Sequence, residues 1–342
     1  MAEELGIAVI GGGRMGGFHV ETWESVPAAR LVALAEPDEE AARVRIGRRP
    51  IGWDADWRAT LERADVDAVT IATPTALHAE IAVAALGAGK HVLVEKPIAA
   101  DVPAALEMAG AAREAGRKLM VGHVERFNPA VGKLRELVAE NRVGQVFRAE
   151  AVRVGPLPAR IVDAGVALDL ATHDLDIMPH VLQRDITRVF AEGSRGSPDS
   201  QEDLLTCLLR FGEGGPFGLL DVNRLTPEKR REMTILGENG MLRASYLTQD
   251  VWFVESSSAR TTWDELARVR GDAEGAVLRF ALQKVEPLRA ELEAFAACVL
   301  DDTPEPVSAG DGVRALAAAL ALRESAQAHR PIDLDPPALA GP

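Results

Sequence analysis

Between residues 6 and 121 the chain alternates short apolar runs with stretches of helical period. The runs "GIAVI" (6 to 10), "LVALA" (31 to 35), "DAVTIA" (67 to 72), "HVLVE" (91 to 95) and "KLMVG" (118 to 122) show little apolar/polar alternation. That is the pattern of strands covered on both faces. Between them lie helical segments such as "ALHAEIAVAALGAG" and "DVPAALEMAGAAREAG", each closed by glycine, the residue that ends helices most readily. Strand and helix repeated in this way predict a parallel, doubly wound α/β sheet over residues 1–122.

The rhythm changes after residue 122. "NPAVGKLRELVAEN" predicts a helix with Asn128 as N-cap and Pro129 in its first turn, and "GQVFRAEAVRVG" predicts a strand. A helix through Asp169 follows, then "ITRVFAEG", "DLLTCLLRFG", "PFGLLDVNRL", "REMTILGENGMLRASYL" and "DVWFVES". Successive strands with glycine-rich turns predict a large, open, mostly antiparallel sheet. Two helices, "VEPLRAELEAFAACVLDD" and "GDGVRALAAALALRESAQA", close the chain. Residues 123–342 thus read as an α+β domain whose sheet is covered by helices on one face. Its other face is a candidate interface for a homodimer or homotetramer.

Length and charge narrow the partners. A chain of 342 residues suits two domains, each with its own core. The two cysteines, Cys207 and Cys298, are too few and too far apart for a disulfide framework or a cysteine metal cage, which fits a reducing cytoplasm. A net charge of -14 disfavours nucleic acid and anionic membranes as partners. The start "MAEELGIAVI" lacks the positive charge of a signal peptide, and no apolar run reaches the roughly 18 residues that cross a bilayer.

"IAVIGGGRMGG" places Gly11, Gly13 and Gly16 in a GxGxxG pattern at the step from the first strand into a helix, with Arg14 and Met15 between the last two glycines. The first glycine permits the tight turn, the second lets backbone approach a pyrophosphate, and the third lets helix and strand pack closely. Glu36 ends the second strand, 20 residues past Gly16, where a carboxylate can bond the adenosine ribose hydroxyls and repel a 2'-phosphate. NAD is therefore favoured over NADP. The competing feature is the basic run Arg43, Arg45, Arg48 and Arg49, which could hold that phosphate or simply be a solvated helix end.

Ligands of such sheets collect at the carboxyl ends of the strands. There "ATPTALH" brings Thr73, Pro74 and His78 beside the cofactor, and "VEKPI" brings Glu95 and Lys96. Lys96 precedes Pro97, so its backbone is extended and its side chain enters the crevice, where an ammonium can stabilise a forming alkoxide. In the second domain "DLATHDLDIM" places Asp169, His173, Asp176 and His180 on one helical stripe. Three explanations compete for that stripe: metal ligands, an acid/base set, or the wet side of an amphipathic helix. Pro179, which would kink the helix or break its register before His180, weakens the metal reading.

"VIGGGRMG", "ATPTALHAE", "EKPIA" and "GVALDLATHDLDI", in that order and spacing, resemble the Gfo/Idh/MocA oxidoreductases over nearly the whole chain. The resemblance implies a Rossmann domain plus a domain with a large open sheet, NAD(P)-dependent oxidation or reduction of a sugar-like secondary alcohol, and assembly through the sheet face. It also implies no metal and a catalytic set of Lys96, Asp169 and His173, with Lys96 preceding a proline that is commonly cis. "VGHVERFNPAV" and "RVGPLPAR" are further similar to the UDP-N-acetylglucosamine 3-dehydrogenase branch, whose 3-keto product passes to a partner aminotransferase. Arg126, Asn128, Arg153 and Arg160 are the matching substrate-site candidates. The arginines are suited to a diphosphate, or else pair with nearby acids such as Glu125 and Asp163. In that reading His173 is the base for the hydroxyl proton, Lys96 lowers the alcohol's effective pKa, and Asp169 orients substrate or imidazole. Two alternatives stand beside it: an inositol or free-sugar dehydrogenase, and a non-catalytic NAD-binding regulator.

Overall fold

A computed structural model of the chain describes residues 4–157, 165–196, 201–256 and 275–335. The chain forms two compact units, one built from Met1–Phe127 with Val285–Ala317, the other from Asn128–Lys284 with Ala318–Pro336.

The first unit holds a six-stranded sheet made of β1 (Leu5–Ile10), β2 (Ala29–Ala35), β3 (Gly52–Asp54), β4 (Ala68–Ile71), β5 (His91–Glu95) and β6 (Leu119–Gly122). All its pairings are parallel, in the order β3-β2-β1-β4-β5-β6, so the switch point falls between β1 and β4. The helices α1 (Arg14–Trp23), α2 (Glu39–Ile46), α3 (Trp57–Leu61), α4 (His78–Gly87) and α5 (Val102–Ala115) connect the strands. Every residue of β1 is buried, as the lack of alternation requires. Helix α5 starts at the N-cap Asp101, whose side chain accepts the Ala104 N–H, and stops at Gly116 in the left-handed region.

The closing helix α8 (Pro287–Leu300) joins this first unit, not the second as the linear pattern suggests. The cause is packing between distant residues. Phe295, fully buried, meets Trp23 edge-on at 6.4 Å between ring centroids, and Trp23 donates its indole N–H to Thr70 Oγ1. Helix α9 (Ala309–Ala328) begins here as well, with Gly312 set so close to Val121 and Ile98 that a Cβ would clash.

Among the described residues the second unit holds nine strands: β7 (Val146–Val154), β8 (Ile186–Ser194), β9 (Leu204–Phe211), β10 (Phe217–Asn223), β11 (Arg230–Gly237), β12 (Gly240–Ser245), β13 (Asp250–Glu255), β14 (Val277–Phe280) and β15 (Ile332–Asp333). Their order is β14-β13-β12-β11-β7-β10-β9-β8-β15, antiparallel except where β7 and β10 run parallel. In β9, Leu205, Cys207, Leu209 and Phe211 point inward and Thr206, Leu208 and Arg210 outward. The inward side shares one core with α6 (Pro129–Ala139), α7 (Thr172–Leu182) and residues of α9 from Ala318 onward. Burial raises the thiol pKa of both Cys207 and Cys298, which makes them poor nucleophiles.

Pro179 does not break the stripe helix. Helix α7 runs through it to Leu182, because proline removes one internal hydrogen bond while Leu175, Ile177, Met178, Val181 and Leu182 stay buried. No helix among the described residues is long and apolar enough to cross a membrane.

Candidate active site

At the end of β1 the backbone turns through Gly11 at a φ of 102°, and a Cβ there would stand 2.7 Å from the Ala72 carbonyl oxygen. Only glycine takes both that conformation and that approach. A Cβ on Gly16 would lie 1.7 Å from the Gly11 oxygen, so Gly16 lets α1 dock on the loop. Gly13 differs, since a Cβ on it would meet nothing within 4 Å. The open side above Gly13, with no acidic residue or side-chain cap among the described residues at the first turn of α1, leaves that turn's N–H groups directed at an anion. Arg14 and Met15 are exposed on the same turn.

Glu36 sits at the mouth of this loop. Its Oε2 accepts the Gly12 N–H at 2.6 Å and its Oε1 the Asp38 N–H at 3.0 Å, while Trp53 donates to its carbonyl. Gly12 went unassigned at the level of sequence. A Cβ on Gly12 would stand 2.9 Å from Glu36 Oε2, so a side chain there would displace the carboxylate. Three of the four arginines of the basic run are engaged: Arg43 pairs with Glu39, Arg49 with Glu24, and Arg45 donates to the Gly12 carbonyl. Thr73 Oγ1 is buried with no hydrogen-bond partner among the described residues, at the carboxyl end of β4. A dinucleotide fits this donor set, and we expect Glu36→Ala to weaken NAD affinity by about tenfold, the worth of a charge-assisted hydrogen bond. Calorimetric titration with NAD and NADP measures it, and the preference for NAD should fall in the same variant.

The loops after β4 and β5 are tied together by His78. Its Nδ1 lies 3.0 Å from the Pro97 carbonyl oxygen and its Nε2 3.0 Å from that of Thr73. Burial holds its pKa below the usual imidazole value, although both carbonyls oppose this. His78 thus acts as a strut between the loops, and in the neutral form that burial favours its single N–H donates to one of the two carbonyls. The Lys96–Pro97 peptide is cis. Glu95 is buried and turned inward, where Oε1 meets His19 Nε2 at 2.8 Å and Oε2 accepts the Lys96 N–H at 3.2 Å. Burial opposes its ionisation, but His19 and Lys96 outweigh it and hold the carboxyl below the usual carboxylate range. No local signal marked His19, whose partner is 76 residues away.

Arg126, in the turn after β6, is also engaged. Its Nη1 lies 3.2 Å from Asp311 Oδ2, and the Asp311 carboxylate also accepts from Ser308 and Arg314. Burial alone would raise the Asp311 pKa, yet Arg126 and Ser308 hold it far below the carboxylate range.

In the second unit Asn128 is the N-cap of α6. It accepts the Ala130 N–H and donates to the Tyr246 carbonyl, so its side chain is spent on the fold. Arg153 is buried on β7 and forks onto Asp174 with Nε–Oδ2 at 2.5 Å and Nη2–Oδ1 at 3.4 Å. Arg153 is therefore not an open cation for a diphosphate in this arrangement. Asp169 lies in a π-helical turn, Ala167–Ala171, immediately before α7. Such turns re-aim side chains and recur at functional sites. His173 follows at the second position of α7, half-buried, while Asp176 is buried and His180 half-buried. No group of three or more metal-ligating side chains occurs among the described residues. Arg160 and Asp163 lie outside the described residues.

A doubly wound sheet with a glycine loop at a helix N-terminus and a carboxylate just past the second strand is the arrangement of dinucleotide-binding folds. Residues 5–123 match the oxidoreductase family with an NAD-binding Rossmann fold, and residues 131–243 match the GFO/IDH/MocA C-terminal domain. The chain belongs to the Gfo/Idh/MocA family of NAD-dependent oxidoreductases. It is 30% identical to UDP-N-acetylglucosamine 3-dehydrogenase of Acidithiobacillus ferrooxidans over 94% of this chain and 96% of that one. A crystal structure of that enzyme superposes with a TM-score of 0.82 at 27% identity, covering 95% of this chain and 98% of the other. Myo-inositol 2-dehydrogenase of Thermotoga maritima is 27% identical over 96% of this chain and 98% of that one.

Proposed function

We propose that the protein oxidises a secondary hydroxyl of a sugar nucleotide, C3 of UDP-N-acetylglucosamine, to the 3-keto sugar. The match to a UDP-N-acetylglucosamine 3-dehydrogenase across 94% of the chain carries this reading, together with the resemblance of the segment "VGHVERFNPAV" to that branch. Bound NAD supplies the hydride acceptor. In this assignment His173 takes the hydroxyl proton, Lys96 hydrogen-bonds the substrate oxygen as negative charge grows on it, and Asp169 orients substrate or imidazole. The C–H bond gives up its electron pair as hydride and the O–H its proton, which leaves a ketone. Residues 1–122 carry the cofactor, and residues 123–342 carry the substrate groups and the contacts of a homo-oligomer. An aminotransferase would consume the keto product, all within the cytoplasm.

One observation favours a second reading. Arg126 and Arg153 are each engaged by a carboxylate, Asp311 and Asp174, as they would be in an enzyme whose substrate has no phosphate. A cyclitol or free-sugar dehydrogenase fits that arrangement.

One assay separates the readings. The protein is mixed with NAD and, in turn, UDP-N-acetylglucosamine, other UDP-sugars, myo-inositol and scyllo-inositol, and reduced nicotinamide is followed by absorbance. Turnover with UDP-N-acetylglucosamine alone is expected. Turnover with an inositol and none with any UDP-sugar overturns the first reading in favour of the second, and silence throughout points to a regulator.

A further inference from the structure

We infer that His19 and Glu95 form a positioning device that fixes Lys96. The inference rests on the assignment of Lys96 to the reaction.

Glu95 is the last residue of β5 and Lys96 the next. The Glu95 carboxylate spans two tasks, with Oε1 2.8 Å from His19 Nε2 and Oε2 3.2 Å from the Lys96 N–H. The His19 ring is completely buried on α1, three residues after Gly16, so its place is set by the same helix that docks on the glycine loop. Gly122 is paired with Glu95 across β5 and β6, and a Cβ on it would stand 3.3 Å from the Glu95 Cα and the Val94 carbonyl oxygen.

A buried carboxylate and imidazole are costly to desolvate, and apolar side chains of similar volume would hold the sheet to the helix at least as well. The polar pair does what an apolar pair cannot. It grips the Lys96 backbone N–H and fixes the direction in which the lysine side chain sets out. Pro97 confines that backbone further from the other side. The dinucleotide loop and the lysine are thus referenced to each other through two side chains distant in sequence.

The test uses three variants of the full chain. His19→Leu removes the donor, His19→Gln keeps an N–H donor on a side chain of similar reach, and Lys96→Ala removes the lysine. Lysines are reductively methylated with 13C, and Lys96 is assigned among the six (Lys90, Lys96, Lys118, Lys133, Lys229, Lys284) by a Lys96→Arg control. Expected in His19→Leu are a displaced and narrowed Lys96 methyl resonance, unchanged NAD affinity by calorimetry, and a kcat with UDP-N-acetylglucosamine lowered about 10- to 100-fold, the cost of a misplaced reacting group. In His19→Gln the resonance and the rate should return toward wild type. An unmoved Lys96 resonance in His19→Leu overturns the inference, and so does an equal loss of NAD affinity in both His19 variants, which would mark a purely structural pair. Should His19→Leu fail to fold, Glu95→Gln replaces it, with the same displacement of the resonance expected. The resonance needs no substrate, so it reports on the device even if the substrate reading fails. Full turnover in Lys96→Ala would overturn the lysine's role and the inference with it, whereas an inactive Lys96→Ala beside a fully active His19→Leu would overturn the inference alone.

Discussion

His173→Ala is expected to lower kcat by about 10²- to 10⁴-fold, the range that a positioned general base contributes to proton transfer. Affinity for NAD should not change, because the residues assigned to the dinucleotide, the glycine loop, Glu36 and Thr73, belong to the other unit. A base that must be neutral to act gives a rate that rises with pH. In His173→Ala that rising limb should disappear. Asp169→Asn should be milder, because it keeps the shape of a side chain whose task is to orient. The measurement is steady-state kinetics from pH 5 to 9, with whichever hydroxyl substrate proves active. A His173→Ala protein with unaltered turnover, or with its pH limb intact, would remove His173 from the mechanism and return the α7 stripe to an amphipathic surface.

Features that depend on neighbours in the chain were legible in the sequence. The GxGxxG loop, the Glu36 strand end and the Asn128 cap each rest on local conformation, so residue type and spacing suffice to find them. Strands β3, β14 and β15 escaped notice because three, four and two residues are too short to show a period. The π-helical turn at Ala167–Ala171 is equally hidden, since its residues fit an ideal 3.6-residue period as well. Above all, the engagement of charged groups could not be read. His19 and Glu95, Arg126 and Asp311, and Arg153 and Asp174 are brought together by the topology of the sheets. Sequence offered Arg126 and Arg153 either to a diphosphate or to nearby acids. The acids that meet them in the fold, Asp311 and Asp174, are remote in sequence.

The second large effect is on stability. Arg153→Met or Asp174→Ala should each destabilise the second unit by about 3–5 kcal/mol, because either leaves its partner as an uncompensated buried charge. The two side chains are 4% and 0% exposed, and the guanidinium, with the Tyr246 ring 5.9 Å away, cannot reach bulk water without unpacking β7 from α7. Arg153→Lys should recover little, since an ammonium cannot reproduce a two-pronged contact. Combining Arg153→Met with Asp174→Leu removes both charges together and should return most of the loss, as apolar replacement of a buried ion pair is often neutral or stabilising. Urea unfolding midpoints of the singles and the double form the required cycle. The same proteins test the substrate assignment, because Asp174 adjoins His173 and Arg153 was the cation offered to a diphosphate. A structural pair predicts a large shift in midpoint and a double variant that regains stability with an ordinary KM for its substrate. An Arg153→Met protein within about 0.5 kcal/mol of wild type, but with a sharply raised KM for a UDP-sugar, would instead make Arg153 a phosphate ligand, and its contact with Asp174 would be a resting arrangement exchanged on binding.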